Sequence, residues 1–262
     1  MMQAITSLSL RHIYRCLALI TAAGTAFRCS AIAQVVPDGT LGTESSQVDG
    51  TTDLMIHGGA QRQENLFHSF ERFSLNEEQQ AYFDNPIGVA RIFSRITGSA
   101  SSDIFGTLGV NGGADLFFLN PNGIMFGPNA QLDIAGSFAA STADSFMFAD
   151  GNEFGTATLE APMLTISTPL GIQVNGSSKG NLRSLAQLET GGDLKLYGHS
   201  LAIAGAVIAG GDLSLISDRK ISANARFESG GDIQLLMPTG TSQNLISTRG
   251  STILANGDVI LG

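Results

Sequence analysis

A short motif, Gly-Gly-Asp followed by alternating apolar and polar residues, repeats along the second half of this chain. Three full copies and a relaxed Asn-Gly-Asp copy end at Asp193, Asp212, Asp232 and Asp258, which are 19, 20 and 26 residues apart. Alternation places every second side chain on one face, as in a β-strand. A period near 20 residues is that of one β-helix coil of three short strands and three turns. The repeat therefore predicts stacked coils whose aspartates lie in a row.

The glycines and aspartates of this repeat have a sufficient explanation as turn residues. Glycine supplies a positive φ at a tight corner, and aspartate can hydrogen-bond the backbone just after it. Calcium-binding β-rolls repeat about every nine residues, and leucine-rich repeats need a regular leucine framework that is missing here. We therefore favour a β-helix without a metal site, with a loop at residues 237–244 before the last copy.

The composition favours an all-β protein. The 262 residues include 32 glycines and no tryptophan, and 43% are hydrophobic, a mixture typical of short strands joined by tight turns. We predict a right-handed parallel β-helix, a solenoid with an N-terminal β cap. From residue 34 to residue 262, about 11 coils of about 20 residues would form a rod about 55 Å long.

The first 33 residues have the features of a secretory signal peptide. Arg11 and Arg15 form a positive region, residues 16–27 are mostly apolar, and an Ala-Ile-Ala cleavage motif ends at Ala33, directly before Gln34. The apolar run is 12 residues long, whereas a membrane-spanning helix needs roughly 20. We predict export by the Sec machinery and cleavage between Ala33 and Gln34.

Removal of the signal changes the chemistry of the mature chain. Both cysteines, Cys16 and Cys29, lie in the signal, so the mature chain can form no disulfide. The signal also carries three arginines and no acidic residue, so 14 basic residues fall to 11 against 23 acidic ones, a net charge of −12. This charge disfavours nucleic acid and anionic membrane surfaces as partners.

The segment before the repeats, residues 34–150, is less regular and richer in phenylalanine. Phe67, Phe70 and Phe73 recur at every third residue, which fits either a short helix or a strand with a bulge. We favour the strand, because helical patterns are rare elsewhere. A solenoid also needs a cover over its first coil, since an open end exposes strand edges and apolar core. We predict that residues 35–83 form this cap.

The segment 92–145 carries a turn motif of high quality. Proline fixes φ at the first corner, and Asn-Gly tolerates left-handed conformations at the second. The motif consists of Asn120, Pro121, Asn122, Gly123 and Ile124. With its neighbouring blocks, such as Arg-Ile-Thr-Gly at 95–98 and Ile-Phe-Gly-Thr-Leu at 104–108, it closely resembles the N-terminal secretion domain of filamentous haemagglutinin, a family of two-partner secretion exoproteins.

The resemblance spans roughly residues 35–172 and implies a mechanism of export. In this family a cognate outer-membrane β-barrel with periplasmic POTRA domains binds the domain that bears this motif and exports the chain in extended form. Residues 120–124 match the motif in full. A second family motif, Asn-Pro-Asn-Leu, has only Asp84, Asn85, Pro86 and Ile87 as a counterpart upstream.

The resemblance also implies a domain order and a function. We expect a signal peptide at 1–33, a secretion domain at 34–172 and a β-helix repeat shaft at 173–262, truncated at its C-terminal end. The implied protein is an adhesin or haemagglutinin-like exoprotein that crosses the periplasm, is released or retained at the outer cell surface, and meets a receptor on a host or neighbouring cell. The alternatives are a carrier of a C-terminal toxin absent from this chain and a secreted β-helix glycan-active enzyme.

Motifs for catalysis, nucleotide binding and metal binding are missing from the sequence. It contains no Gly-x-Ser-x-Gly elbow, Walker loop, HExxH or CxxC set. The four histidines are scattered, which disfavours a metal site. Asp144, Asp150 and Glu153 could act as catalytic carboxylates on a glycan, but solvated turn residues explain them equally well. We therefore predict that the protein is not an enzyme and has no catalytic, cofactor or metal site.

Overall fold

The structure is a computed structural model that describes residues 35–156, 179–237 and 245–262. Three predictions fall outside these residues: the signal peptide with its cleavage site at Ala33 and Gln34, the domain boundary at residue 172, and most of the loop at 237–244. Within the described ranges, no helix is both long enough and apolar enough to cross a membrane.

The described residues form short strands and one turn of 3-10 helix, at Gly42–Glu44. The N-terminal strands are β1 (Val35–Pro37), β2 (Ser46–Asp49), β3 (Asp53–Gly58), β4 (Ala60–Arg62), β5 (Asn65–Phe73), β6 (Gln80–Asp84), β7 (Arg91–Ile96), β8 (Ser102–Ile104), β9 (Thr107–Asn111), β10 (Asp115–Leu119), β11 (Ile124–Phe126), β12 (Gln131–Asp133), β13 (Phe138–Ser141), β14 (Ser145–Met147) and β15 (Glu153–Gly155). The later strands are β16 (Leu182–Ser184), β17 (Leu188–Thr190), β18 (Leu194–Ile203), β19 (Val207–Ala209), β20 (Leu213–Ala223), β21 (Arg226–Ser229), β22 (Ile233–Leu236), β23 (Leu245–Ser247), β24 (Thr252–Ala255) and β25 (Val259–Leu261).

Parallel pairing stacks these strands into three faces. The first face contains β5, β7, β10, β13, the first halves of β18 and β20, β22 and β25. The second face contains β8, β11, β16, the second halves of β18 and β20, and β23. The third face contains β3, β6, β9 and β12 in one sheet, and β17, β19, β21 and β24 in another.

The chain is therefore a parallel β-solenoid, as predicted, but it has about seven turns. The expectation of about 11 coils was wrong for two reasons. On the first face, Leu66, Ile92, Leu116 and Phe138 pair in register, so the early coils use 26, 24 and 22 residues. An insertion at residues 142–181, between β13 and β16, then lengthens one coil without adding another.

Inward-facing side chains stack into one column through the coils. Every second residue of a strand points into the solenoid, and residues in register lie directly above one another. One such stack is at most 2% exposed and consists of Leu66, Ile92, Leu116, Phe138, Leu194, Leu213 and Ile233. Burial of each of these side chains stabilises the fold by about 1.5–3 kcal/mol.

An N-terminal cap is present, but it is shorter than the predicted segment 35–83. Strand β2 pairs antiparallel with β3, and β1 and β4 pair antiparallel with β5. Strands β5 and β6, although they lie within the predicted segment, pair in parallel with β7 and β9. They therefore belong to the first coil, and the cap is formed by β1 to β4.

The phenylalanines of β5 lie on a bulged strand, as predicted. Val36 pairs with Arg72 and Pro37 pairs with Phe70, so Glu71 is skipped in the register. One additional residue returns Phe73 to the side of Phe70, and both side chains enter the core. Phe67 lies on the opposite side of the strand, in a second apolar cluster.

The Gly-Gly-Asp turns stack in a row, but their aspartates bond differently from the prediction. The carboxylate of Asp193 accepts a hydrogen bond from the backbone amide of Asp212 at 2.8 Å. Asp212 and Asp232 accept in the same way from Asp232 and Asp258, each at 2.8 Å. Each carboxylate therefore joins its own coil to the next coil, instead of bonding the backbone just after it.

The glycines of these turns are required for close stacking and not for a positive φ. None of the glycines at 191, 192, 210, 211, 230 and 231 has a positive φ. A Cβ at Gly210 would lie 2.0 Å from the carbonyl oxygen of Gly191, and one at Gly230 would lie 2.0 Å from that of Gly210. Neighbouring backbones approach so closely here that a side chain has no space.

Candidate functional site

The Asn-Pro-Asn-Gly segment forms the corner between β10 on the first face and β11 on the second. The amide of Gly123 donates to the carbonyl oxygen of Asn120 at 3.1 Å, which closes a β-turn. Asparagine first, proline second and glycine fourth is the residue pattern of a type I turn. Gly123 has φ +122° and Asn122 has no positive φ. The left-handed conformation expected for the Asn-Gly pair is therefore confined to the glycine.

The side chain of Asn120 is fully buried and holds this corner against the preceding coil. Its Nδ2 donates to the carbonyl oxygen of Ala100 at 3.0 Å and to Ser102 Oγ at 2.9 Å. Its Oδ1 accepts from the backbone amide of Asn122 at 3.0 Å. A buried amide group with its donors and acceptor satisfied stabilises a single backbone arrangement. Asn120 therefore acts as a structural clamp in the folded coil.

Asn122 is exposed, yet its side chain also reaches the preceding coil. Its Nδ2 donates to the carbonyl oxygen of Gly98 at 2.8 Å. Gly98 ends the Arg-Ile-Thr-Gly block at 95–98, which is distant in sequence from the corner. The structure thus brings together two of the segments that carry the family resemblance.

The following coil covers the other side of the corner. The amide of Ile124 donates to the carbonyl oxygen of Asn181 at 3.1 Å. A Cβ at Gly180 would lie 2.5 Å from the carbonyl oxygen of Pro121, so the two backbones are in close contact. Ile124 is buried in the core, whereas Pro121 is half-buried. Of the five motif residues, Pro121 and Asn122 present side chains to solvent in the folded coil.

A second apolar cluster, which the sequence reasoning missed, lies on the outer side of the first face. Phe67, Phe93 and Phe117 form a ladder, with ring centroids 5.2 Å and 4.7 Å apart. The hairpin β14–β15 covers this ladder with three further rings, those of Phe146, Phe148 and Phe154. The available signal was apolar residues on both alternating sides of β5, β7 and β10.

Arg95, from the same conserved-looking block as Gly98, is fully buried beside this cluster. Its Nε donates to Ser69 Oγ and its Nη2 to Thr40 Oγ1, each at 2.9 Å. Its Nη1 donates to the carbonyl oxygen of Gly155, and its guanidinium lies 4.6 Å from the ring centre of Phe154. Arg95 therefore connects the cap, the first two coils and the hairpin.

Asp38 provides the negative charge near Arg95. Burial raises the pKa of its carboxyl, but hydrogen bonds from Ser69, Thr97 and Thr40 outweigh burial and hold the pKa below its ordinary value. Burial lowers the pKa of the Arg95 guanidinium, which the Asp38 charge opposes. The sequence offered no local signal for this cluster, because its members come from four separated segments.

The other predicted sites are not brought to this corner. Asp84, Asn85, Pro86 and Ile87 lie at a different corner, between β6 on the third face and β7 on the first, where Ile87 is fully exposed. Its position shows that this segment is not equivalent to residues 120–124.

The candidate carboxylates and histidines have local partners. Ser145 Oγ donates to Glu153, and Asp150 accepts from the backbone amide of Asn152, so both carboxylates organise the hairpin β14–β15. His57 pairs with Asp49 at 2.8 Å. No group of three or more histidine, cysteine or acidic residues in the described part of the chain is arranged to hold a metal ion.

Together these features define a parallel β-solenoid with a capped first coil and a sequence-specific corner. Residues 33–257 match the family model of the TPS secretion domain, so the chain belongs to this family. It carries the secretion domain of a two-partner secretion exoprotein, which confirms the resemblance to the filamentous-haemagglutinin type. Membership implies a cognate outer-membrane TPS transporter and secretion across the outer membrane.

Individual relatives are distant. The chain is 29% identical to the heme/hemopexin-binding protein of Haemophilus influenzae over 89 residues, which are 34% of this chain and 9% of that protein. The crystal structure of the HMW1 secretion domain from Haemophilus influenzae aligns with a TM-score of 0.45 and 16% identity, over 88% of this chain and 72% of that chain. That of a filamentous hemagglutinin secretion domain aligns with a TM-score of 0.44 and 13% identity, over 87% and 99%.

Proposed function

We propose that this chain is a secreted surface exoprotein of the adhesin type, and that residues 120–124 direct its export through a cognate outer-membrane transporter with POTRA domains. The observation that carries the proposal is the match of residues 33–257 to the TPS secretion domain, in a chain that retains the whole Asn-Pro-Asn-Gly-Ile motif. Sec-dependent entry into the periplasm precedes this step, and the chain is then released or retained at the cell surface.

The burial of Asn120 supports recognition before folding. Asn120 has no exposed surface in the folded coil, and its amide group is fully engaged. A transporter can contact this side chain only while the segment is extended. After export, the same side chain closes the corner and stabilises the coil. Recognition and folding would thus use the same asparagine at different times.

The role we propose is not catalytic. The carboxylates closest together in sequence, Asp150 and Glu153, hold the backbone and a serine of one hairpin. Glycan hydrolysis instead requires two carboxyl groups that face a common substrate site at about 5–10 Å. The arrangement of these residues supports a structural role.

The test is secretion of the complete chain by cells with and without the partner transporter. We expect the chain in the medium only when the transporter is present. Asn120→Ala and Asn122→Ala should remain in the periplasm, because both remove amide groups from the motif. Medium and periplasmic fractions are compared by immunoblotting.

Asn129→Ala is the matched control, because Asn129 occupies a similar Pro-Asn turn at residues 127–130 but is exposed and outside the motif. This variant should be exported like the native chain. Release of the native chain without the transporter, or equal retention of Asn129→Ala and Asn122→Ala, would contradict the proposal. Urea unfolding of each purified variant separates loss of export from loss of stability.

A further inference from the structure

A shallow groove of about 380 Å³ runs along the outer surface of the second face. Four strands line up in register there, and Arg183, Ala202, Ser222 and Ser247 form one outward row. Small side chains at the last three positions leave the floor low. With neighbouring strands about 4.8 Å apart, the row is about 14 Å long.

Arginines line this groove at both ends of the row. Arg183 lies on β16, and Arg249 follows β23, three coils further on. Both are exposed, and none of the five ion pairs in the described residues involves either of them. The whole chain has a net charge of −9, so two unpaired guanidinium groups around one groove reverse the sign of charge locally.

Polar groups on the floor are also available to a ligand. Within the described residues, the side chains of Ser222, Ser247 and Asn224 make no hydrogen bond to protein. Hydroxyl and amide groups can both donate and accept, as sugar hydroxyls do. A guanidinium pairs with a carboxylate or sulfate through two parallel hydrogen bonds. No aromatic residue lines the groove, whereas single-stranded nucleic acid binds largely by stacking on aromatic rings.

We infer that this groove binds a linear polysaccharide with carboxylate or sulfate groups. Arg183 and Arg249 pair with negative groups on different sugars of one chain, and the serine and asparagine side chains bond the hydroxyls between them. The inference gives a ligand class to the adhesive part of the proposed function and rests on that part alone. It does not depend on residues 120–124 or on the transporter.

The test is binding of the purified secreted chain to three probe polymers: polygalacturonate, dextran sulfate and neutral dextran. We expect binding to at least one anionic polymer, weakening as salt is added, and no binding to neutral dextran. Arg183→Gln and Arg249→Gln should each raise Kd about tenfold, which corresponds to about 1.4 kcal/mol. Comparison of the two anionic polymers distinguishes carboxylate from sulfate as the preferred group.

Lys195→Gln is the matched control, because it removes one positive charge from the first face, outside the groove. It should change Kd less than about twofold. Equal weakening by Lys195→Gln and Arg183→Gln would show general charge attraction and overturn the inference, as would absence of binding to both anionic polymers. Export by cells is measured separately, so a negative binding result leaves the transporter proposal intact.

Discussion

At the scale of single residues, Arg95 has the largest set of contacts across separated segments. It bonds Ser69, Thr40 and the backbone of Gly155, and it packs on Phe154. Removal of one partner from a buried charged cluster leaves polar groups that water cannot reach. The stability of the N-terminal coils therefore depends on a side chain whose sequence context shows no special feature.

We predict that Arg95→Met lowers the free energy of unfolding by about 3 kcal/mol, measured by urea denaturation. Arg72→Met is the control, because Arg72 forms an exposed pair with Glu71 on the neighbouring strand. Exposed pairs contribute at most about 1 kcal/mol, so this variant should remain close to the native stability. Similar losses in the two variants would show that the buried cluster has no special role.

His68 makes stability depend on pH. It is buried against Phe70 and Phe83, and burial, with a smaller contribution from the charge of His57, lowers its pKa from 6.5 to about 3. The unfolded chain therefore binds a proton below about pH 6.5, whereas the folded chain does so only near pH 3. Stability contributed by the neutral ring is complete above pH 6.5 and falls as pH decreases towards 3, at up to about 1.4 kcal/mol per pH unit.

We predict that His68→Gln is less stable than the native protein at pH 7 but loses less stability between pH 7 and pH 5. Urea denaturation at the two pH values provides the measurement. His57→Gln should keep the native pH dependence, since His57 is partly exposed beside Asp49. An unchanged pH dependence in His68→Gln would show that another group titrates in this range.

At the scale of elements, the coils are joined by turns in which two backbones nearly touch. A methyl group at Gly210 would lie 2.0 Å from the backbone oxygen of Gly191, whereas one at Gly113 would have no atom within 4 Å. Neither glycine has a positive φ. Because their backbone conformations both accept alanine, the pair isolates the effect of coil spacing.

We predict that Gly210→Ala lowers the free energy of unfolding by about 2 kcal/mol or more, because the coils must separate at this turn. Gly113→Ala should change it by less than about 0.5 kcal/mol. Thermal and urea unfolding of both variants provide the measurement. If Gly210→Ala were neutral, coil spacing would be more adaptable than the stacked turns indicate.

At the scale of the whole molecule, the solenoid is a column in which each coil contacts mainly its neighbours. Leu194 belongs to the buried column in a central coil, whereas Ile260 lies on the last strand and is 44% exposed. In such an arrangement, stability is close to a sum of coil energies and of interfaces between adjacent coils. A defect in a central coil affects two interfaces, and a defect in the last described coil affects one.

We predict that Leu194→Ala costs about 2–5 kcal/mol, as for other buried leucines, and that Ile260→Ala costs less than about 1 kcal/mol. Hydrogen exchange should detect faster opening on both sides of Leu194 in the first variant and only near β25 in the second. Equal effects would mean that the chain unfolds as one unit without dependence on position.

Much of the local structure was predictable because its signals are local. Alternation after each Gly-Gly-Asp predicted the strands, the 20-residue period predicted the coils, and Pro121 and Gly123 predicted the turn. The number of coils was not predictable, because the early coils vary in length and the insertion at 142–181 has no sequence marker. The clamp formed by Asn120 depends on Ala100 and Ser102, which are placed beside it only by coil stacking.

The sequence by itself determined the β-helix class, the row of stacked turns and the family to which the corner belongs, because these depend on residue order within one coil. The tertiary structure alone decided which groups meet between coils. It placed the carboxylate of Asp193 beside the amide of Asp212, buried Arg95 beneath a hairpin 60 residues further along the chain, and brought Arg183 and Arg249 to one groove. These contacts follow from register and stacking distance, which no single coil contains.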